Sequence, residues 1–249
     1  MMNYIKSENY RLLRKKNLYV TISICFFLIT AAAFVLYLSQ KADANFSYAT
    51  SLFLYSNVIS SGILILIVAF LFNLALTGKD HRLIKQSISF GISRDTIFWS
   101  KLAITLSYFL MICSIGLALT IGLGELLLAS EPQSVSHLLI ASFNMLPIIL
   151  SGFFLIHTMK MLGLGDIYVI ISLFLIYVLS GDLLRLIPDS MSGISELYKY
   201  VPSTLLTENL MNYTNHNPQF DDHMWLVGMV MSIIFLIIGA TRFAKINID

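Results

Sequence analysis

The chain carries two cysteines, five histidines and fourteen acidic side chains, so the first question is whether any of them are spaced for chemistry. Cys25 and Cys113 both fall inside apolar runs, with no C-x-x-C pair, and read as buried structural thiols. His81, His137, His157, His216 and His223 are scattered, none at i, i+4 from another, and there is no H-E-x-x-H. A phosphate loop of the form G-x-x-x-x-G-K-[ST] and a G-x-S-x-G nucleophile elbow are likewise missing. The sequence therefore predicts no catalytic residues, no metal site and no cofactor held by this chain.

What remains is charge, and its distribution is uneven. Hydrophobic residues make up 57% of the 249 and charged residues 12%, with a mean hydropathy of +0.79. A soluble domain carries about 25% charged residues. This composition predicts a membrane protein in a single transmembrane domain over residues 1–249. Six apolar segments, 18–38, 52–76, 98–128, 138–162, 167–184 and 224–240, are each read as a spanning helix. The first follows a basic stretch but is too long for a signal-peptide core, so it reads as a retained helix.

Thirteen of the sixteen Lys and Arg fall on one side if both termini share it, leaving Lys41, Arg185 and Lys199 on the other. The positive-inside rule then places both termini in the cytosol. No span carries a charge at mid-depth, where an ion-coupled carrier would need one. Glu125, Asp182, His157, Lys160 and Asp166 fall near span ends and read as snorkelling or capping groups. Asn144 and Pro147 are expected to kink the fourth span. Gly116, Thr120 and Gly124 form a small-residue stripe suited to helix packing.

Three segments lie outside the spans. Residues 1–17 can form an amphipathic helix in the headgroup plane, or serve only as a basic topogenic tail. Residues 188–223 form the long outer connection, in which "STLLTENLMNY" reads as a short helix with Ser203 as its N-cap. Residues 78–97 are the most structured. Asp80 can cap a short helix to about Ser89, with Leu83, Ile84 and Ile88 on its apolar side. Gly91 breaks it, Ser93 caps the next helix, and Asp95 occupies the first turn. The pattern describes a rigid cytosolic lever joined to the third span.

The N-terminal "IKSENYRLLRKK", the segment "KDHRLIKQSISFGISRDTIFWSK" with its "GISR" and following lysine, and the outer "YVPSTLL" together resemble the permease subunits of type-two ABC exporters, of the small six-span kind. The resemblance covers most of the chain. Where many relatives have a glutamate followed by Arg or Lys, this chain has Asp80-His81-Arg82. The likeness implies that the segment between the second and third spans is a coupling helix, with Asp80, His81, Arg82, Lys85, Gln86 and Arg94 against a separate ATPase. It implies a second cytosolic contact through Glu8, Arg11 and Arg14. ATP and Mg would be bound by that ATPase, present in two copies. A second permease copy or paralogue would complete the pore in the bacterial plasma membrane, with no nucleic-acid partner. Similar permeases expel antimicrobial peptides, including lantibiotic immunity and bacitracin-type resistance, or export amphipathic peptides. An ion-coupled carrier and a non-transport sensor or assembly subunit are the other classes the sequence leaves open.

Overall fold

The computed structural model describes residues 2–43, 45–77, 81–186 and 196–245. Among them the chain is helical throughout. Helix α1 (Met2–Leu13) leads by a short turn into α2 (Lys16–Ala42). Helices α3 (Ser51–Ser60) and α4 (Gly62–Thr77) follow, then α5 (His81–Ser89) and α6 (Arg94–Leu127). Next come α7 (Ser134–Met161), α8 (Asp166–Tyr177) and the short α9 (Ser180–Arg185). A 3-10 turn at Glu196–Tyr200 precedes α10 (Pro202–Thr214) and α11 (Asp222–Lys245).

Four helices, α2, α6, α7 and α11, are long and apolar enough to cross a membrane, and α3 with α4 makes a fifth if the bent pair is one span. This is a helical, multi-pass membrane protein. At 1.5 Å per residue α6 extends about 51 Å, longer than a hydrocarbon core of about 30 Å.

Two of the expected spans are interrupted. The second bends by 56° between α3 and α4. Its cause is local. Asn57 Nδ2 donates to Phe53 O (2.8 Å), and Ser60 Oγ (3.0 Å) and Ser61 Oγ both donate to Asn57 O. These side chains compete for backbone carbonyls, and Ser61 N bonds three residues back to Val58 O at 3.1 Å. The fifth segment divides into α8, at 12 residues only about 18 Å long, and α9 beyond a break before Ser180.

Helix α7 is the hub, packed against α3, α4, α8, α10 and α11. Ile148, Phe153 and Ile156 sit at its buried centre. Its crossing with α11 is close because α11 presents Gly228 to Pro147. A Cβ at 228 would lie 2.4 Å from the Pro147 carbonyl carbon. Helix α2 turns Ile24, Phe27, Leu28 and Val35 outward, and α11 turns out Leu226, Val230, Ile233 and Ile237. Large apolar side chains on the outer surface of these helices are what a lipid solvent requires.

Opposite ends of the bundle differ. At one end α10 lies across the α3–α4 bend, with Leu206 against Gly62. Asn209 Nδ2 donates to Ala141 O (2.9 Å), and Tyr213 OH donates to Leu52 O (3.3 Å). Helix α7 runs unbroken through Asn144 and Pro147, where the sequence predicts a kink, and Asn144 is instead a tie. Its Nδ2 donates to Gln219 O (2.7 Å) and its Oδ1 accepts from Asp221 N (3.1 Å), tying the lead-in of α11 to the bundle. Asp221 then caps α11 by accepting from His223 N (2.9 Å) and Met224 N (3.3 Å). Ser203 is not the cap of α10. Val201 occupies that position and Pro202 opens the helix, leaving Ser203 Oγ to accept from Gly181 N at 2.7 Å.

Candidate functional site

The other end gathers α1, α5, the start of α6 and the end of α11. Arg94 Nη1 donates to Ala244 O (3.0 Å), and the Phe98 and Phe243 rings lie 6.0 Å apart. Most of the chain's cations belong to this end, so it is the basic end.

Helix α5 is short but closed at its C-terminus. Gly91 has φ of 83°, a left-handed conformation that glycine adopts without Cβ strain. Gly91 N donates to Ile88 O (2.9 Å) and Ile92 N to Ser87 O (3.1 Å), the paired bonds of a Schellman motif. Two residues on, Ser93 Oγ accepts from Thr96 N (3.2 Å) and starts α6, with Asp95 in the first turn. The buried side of α5 is Ile84, which packs with Ile97, Phe98, Met161 and Phe243. Lys85 and Gln86 are exposed, and Phe90 at the tip is 84% exposed.

Helix α1 packs alongside. Glu8 and Leu12 face inward, with Leu12 in the main core. Glu8 Oε2 receives Lys101 Nζ at 3.3 Å and Arg11 Nη2 at 2.7 Å. The Lys101 side chain is wholly buried, so this pair is shielded from water. Two turns along α6 from Lys101, Tyr108 OH donates to Asn9 Oδ1 of α1 (2.8 Å). Tyr4 reaches both Glu8 and Ser87, linking α1 to α5. Burial, and then the neighbouring Glu8 carboxylate, pushes the Tyr4 phenol well above its ordinary value.

Between α1 and the α5–α6 turn lies a cleft of about 730 Å³. Tyr4, Glu8 and Arg11 line one wall, Gln86 and Phe90 the other, and Thr96 lies at the start of α6. Its walls mix amide, hydroxyl and charged groups with an exposed ring.

The expected contact residues do not all lie together. Gln86 shares the cleft with Glu8 and Arg11, while Lys85 faces away from the core. Glu8 turns inward to Lys101. Arg14 is exposed, its guanidinium 4.2 Å from the centre of the Tyr10 ring. His81 and Arg82 belong to the first turn of α5, and Asp80 lies outside the described residues. Gly116, Thr120 and Gly124 sit higher on α6 and are buried. Gly116 faces Ile29 of α2, and Gly124 faces the Tyr55 ring of α3.

Two ionisable groups read as interfacial from sequence are built in. His157 is fully buried in α7, where Nδ1–H donates to Asn73 Oδ1 of α4 (3.0 Å) under the Phe98 ring at 4.9 Å. Its partner is 84 residues away, a pairing that no local pattern encodes. Lys160 bridges to Asp166 at 2.5 Å and closes the turn between α7 and α8. At the opposite end, Glu125 accepts from Tyr55 (2.9 Å), Ser130 (2.5 Å) and Ser134 (3.4 Å).

Sequence reasoning missed Tyr4, Phe90 and the Glu8–Lys101 pair as parts of this site. A usable signal existed for the last, since Glu8 is the one acid in an otherwise basic first seventeen residues. Comparison with known proteins adds no relative: no family model, curated protein or solved structure matches the chain.

Proposed function

We propose that this chain is the permease subunit of a type-two ABC exporter, with α5 as the coupling helix that receives force from a separate ATPase. The observation that carries this reading is the α5–α6 unit. A capped, amphipathic helix presents Lys85, Gln86 and the ring of Phe90 outward, and a rigid turn joins it to the longest helix of the bundle. A flexible loop would dissipate a push, whereas this geometry delivers it to α6.

On this reading the spans are six, counting α3–α4 and α8–α9 each as one broken crossing, with both termini in the cytosol. The ATPase holds ATP and Mg, and a second permease, identical or paralogous, completes the translocation path. The cargo is a hydrophobic or amphipathic substrate, a peptide by resemblance, moved outward. The lack of a mid-depth charge supports energy from a partner over ion coupling.

The test is purification of the tagged chain from native membranes in mild detergent, with partners identified by mass spectrometry. An ATPase bearing a phosphate loop should co-purify. Charge reversal by Arg82→Glu with Lys85→Glu should abolish its recovery and transport without altering membrane insertion. Wild-type transport by that variant overturns the coupling role. Absence of an ATPase under several extraction conditions moves a carrier or sensor ahead.

A further inference from the structure

We propose that the outer stripe of α1 and the first turn of α2 form a docking surface for the headgroups of anionic phospholipid. Outward positions on α1 are Lys6, Tyr10 and Leu13, with Arg14 in the turn that follows and Lys16 at the start of α2. All five are exposed. The spacing of four and three residues places Lys6, Tyr10 and Leu13 on one face of α1. Glu8, the one acid of this stretch, is turned to the opposite face and consumed by Lys101 and Arg11. The outer face therefore presents cations and apolar groups without a counter-charge of its own.

Two observations identify the occupant. Tyr10, Leu13 and Tyr19 lie among the cations, 57%, 40% and 51% exposed, and this mixture suits the boundary between headgroup and acyl chain. Beyond Lys16, α2 exposes Val20, Ile24, Phe27 and Leu28, an apolar surface suited to acyl chains. Geometry fixes the entry angle, since Tyr19 OH donates to Leu13 O across the turn (2.8 Å) and Arg14 stacks on Tyr10. The inner face of α1, through Glu8 and Asn9, is bound to α6, so a lipid held by the outer face bears on α6 through a shielded ion pair. This assigns Arg14 to lipid rather than to the ATPase. The surface requires only that the chain sits in a membrane and does not depend on the coupling role of α5.

The experiment is a thermal unfolding titration of the purified full chain in neutral detergent, with no ATPase present. Three additives are compared: short-chain phosphatidylglycerol, short-chain phosphatidylcholine and inorganic phosphate. Phosphatidylglycerol should raise the unfolding midpoint saturably, and the other two should not. With each cation contributing about a fivefold effect, Lys6→Gln, Arg14→Gln and Lys16→Gln combined should raise the half-saturating concentration about 100-fold. If the triple variant fails to fold, Lys6→Gln and Lys16→Gln alone should each raise it about fivefold. Lys85→Gln, a cation at the same end but off the stripe, should leave it unchanged. No response to phosphatidylglycerol, an equal response to phosphatidylcholine or to phosphate, or wild-type titration by the stripe variants overturns the proposal.

Discussion

The two ends of this bundle are held by different chemistry. The basic end relies on charge: Glu8 with Lys101 and Arg11, Lys160 with Asp166, and Arg94 on the last turn of α11. The capped end relies mainly on neutral groups, with Asn144, Asn209, Tyr213 and Ser203 bonded to backbone atoms of neighbouring segments. Amide and hydroxyl bonds are insensitive to salt and to pH near neutrality. Buried ion pairs answer to any new charge brought near them. The basic end is thus the one that responds to charge, and at the other end α10 covers the α3–α4 bend through neutral bonds.

Breaking the comparison at its strongest point means removing one charge of a buried pair. Glu8→Ala strips the carboxylate that Lys101 faces, and is expected to destabilise the folded chain by about 3–5 kcal/mol. Glu8→Met with Lys101→Met should recover most of that loss, measured by thermal unfolding in detergent. A double variant as unstable as the single one would show that packing of α1, not charge, is at stake.

At the capped end, Asn144→Leu leaves Gln219 O and Asp221 N without their buried partner. The expected cost is about 1–3 kcal/mol, equal at low and high salt. A salt-dependent loss would erase the distinction between the ends. Gly228→Ala probes the junction between them, since its Cβ meets the backbone of Pro147. Overpacking of about 1–3 kcal/mol should lower the unfolding midpoint, and an unchanged midpoint would mean that α11 slides freely on α7.

Smallest and most specific is Tyr4→Phe. A phenol whose value is raised on folding stabilises the folded state fully below its unfolded value of about 10. That contribution is lost as the pH rises above it, because the unfolded chain releases the proton first. The wild type should therefore lose stability above about pH 10 more steeply than Tyr4→Phe, read from unfolding midpoints across the alkaline range. Parallel curves would place Tyr4 in water rather than between α1 and α5.

Much of the helical layout was legible because it is written locally. The Gly91 break and the Ser93 cap each depend on residues within a few positions, and both stand where the sequence puts them. Tertiary competition set the rest. Ser203 has the chemistry of a cap, but Pro202 prefers the first helical position and frees that hydroxyl for Gly181. The bend at Ser61 carries a local signal, Ser60-Ser61-Gly62 after Asn57, which hydropathy alone passes over. Likewise Ser180-Gly181 marks where the fifth apolar segment breaks. His157 with Asn73 and Glu8 with Lys101 join residues 84 and 93 positions apart, and only the fold brings them together.

A photo-crosslinking phenylalanine at position 90, the exposed tip of α5, tests the proposed coupling role most directly in native membranes. Light-dependent capture of an ATPase is expected, identified by peptides spanning its phosphate loop, with loss of that product in Arg82→Glu with Lys85→Glu. Capture of lipid alone, or an ATPase adduct unaffected by the charge reversal, would contradict the claim that α5 is the coupling helix.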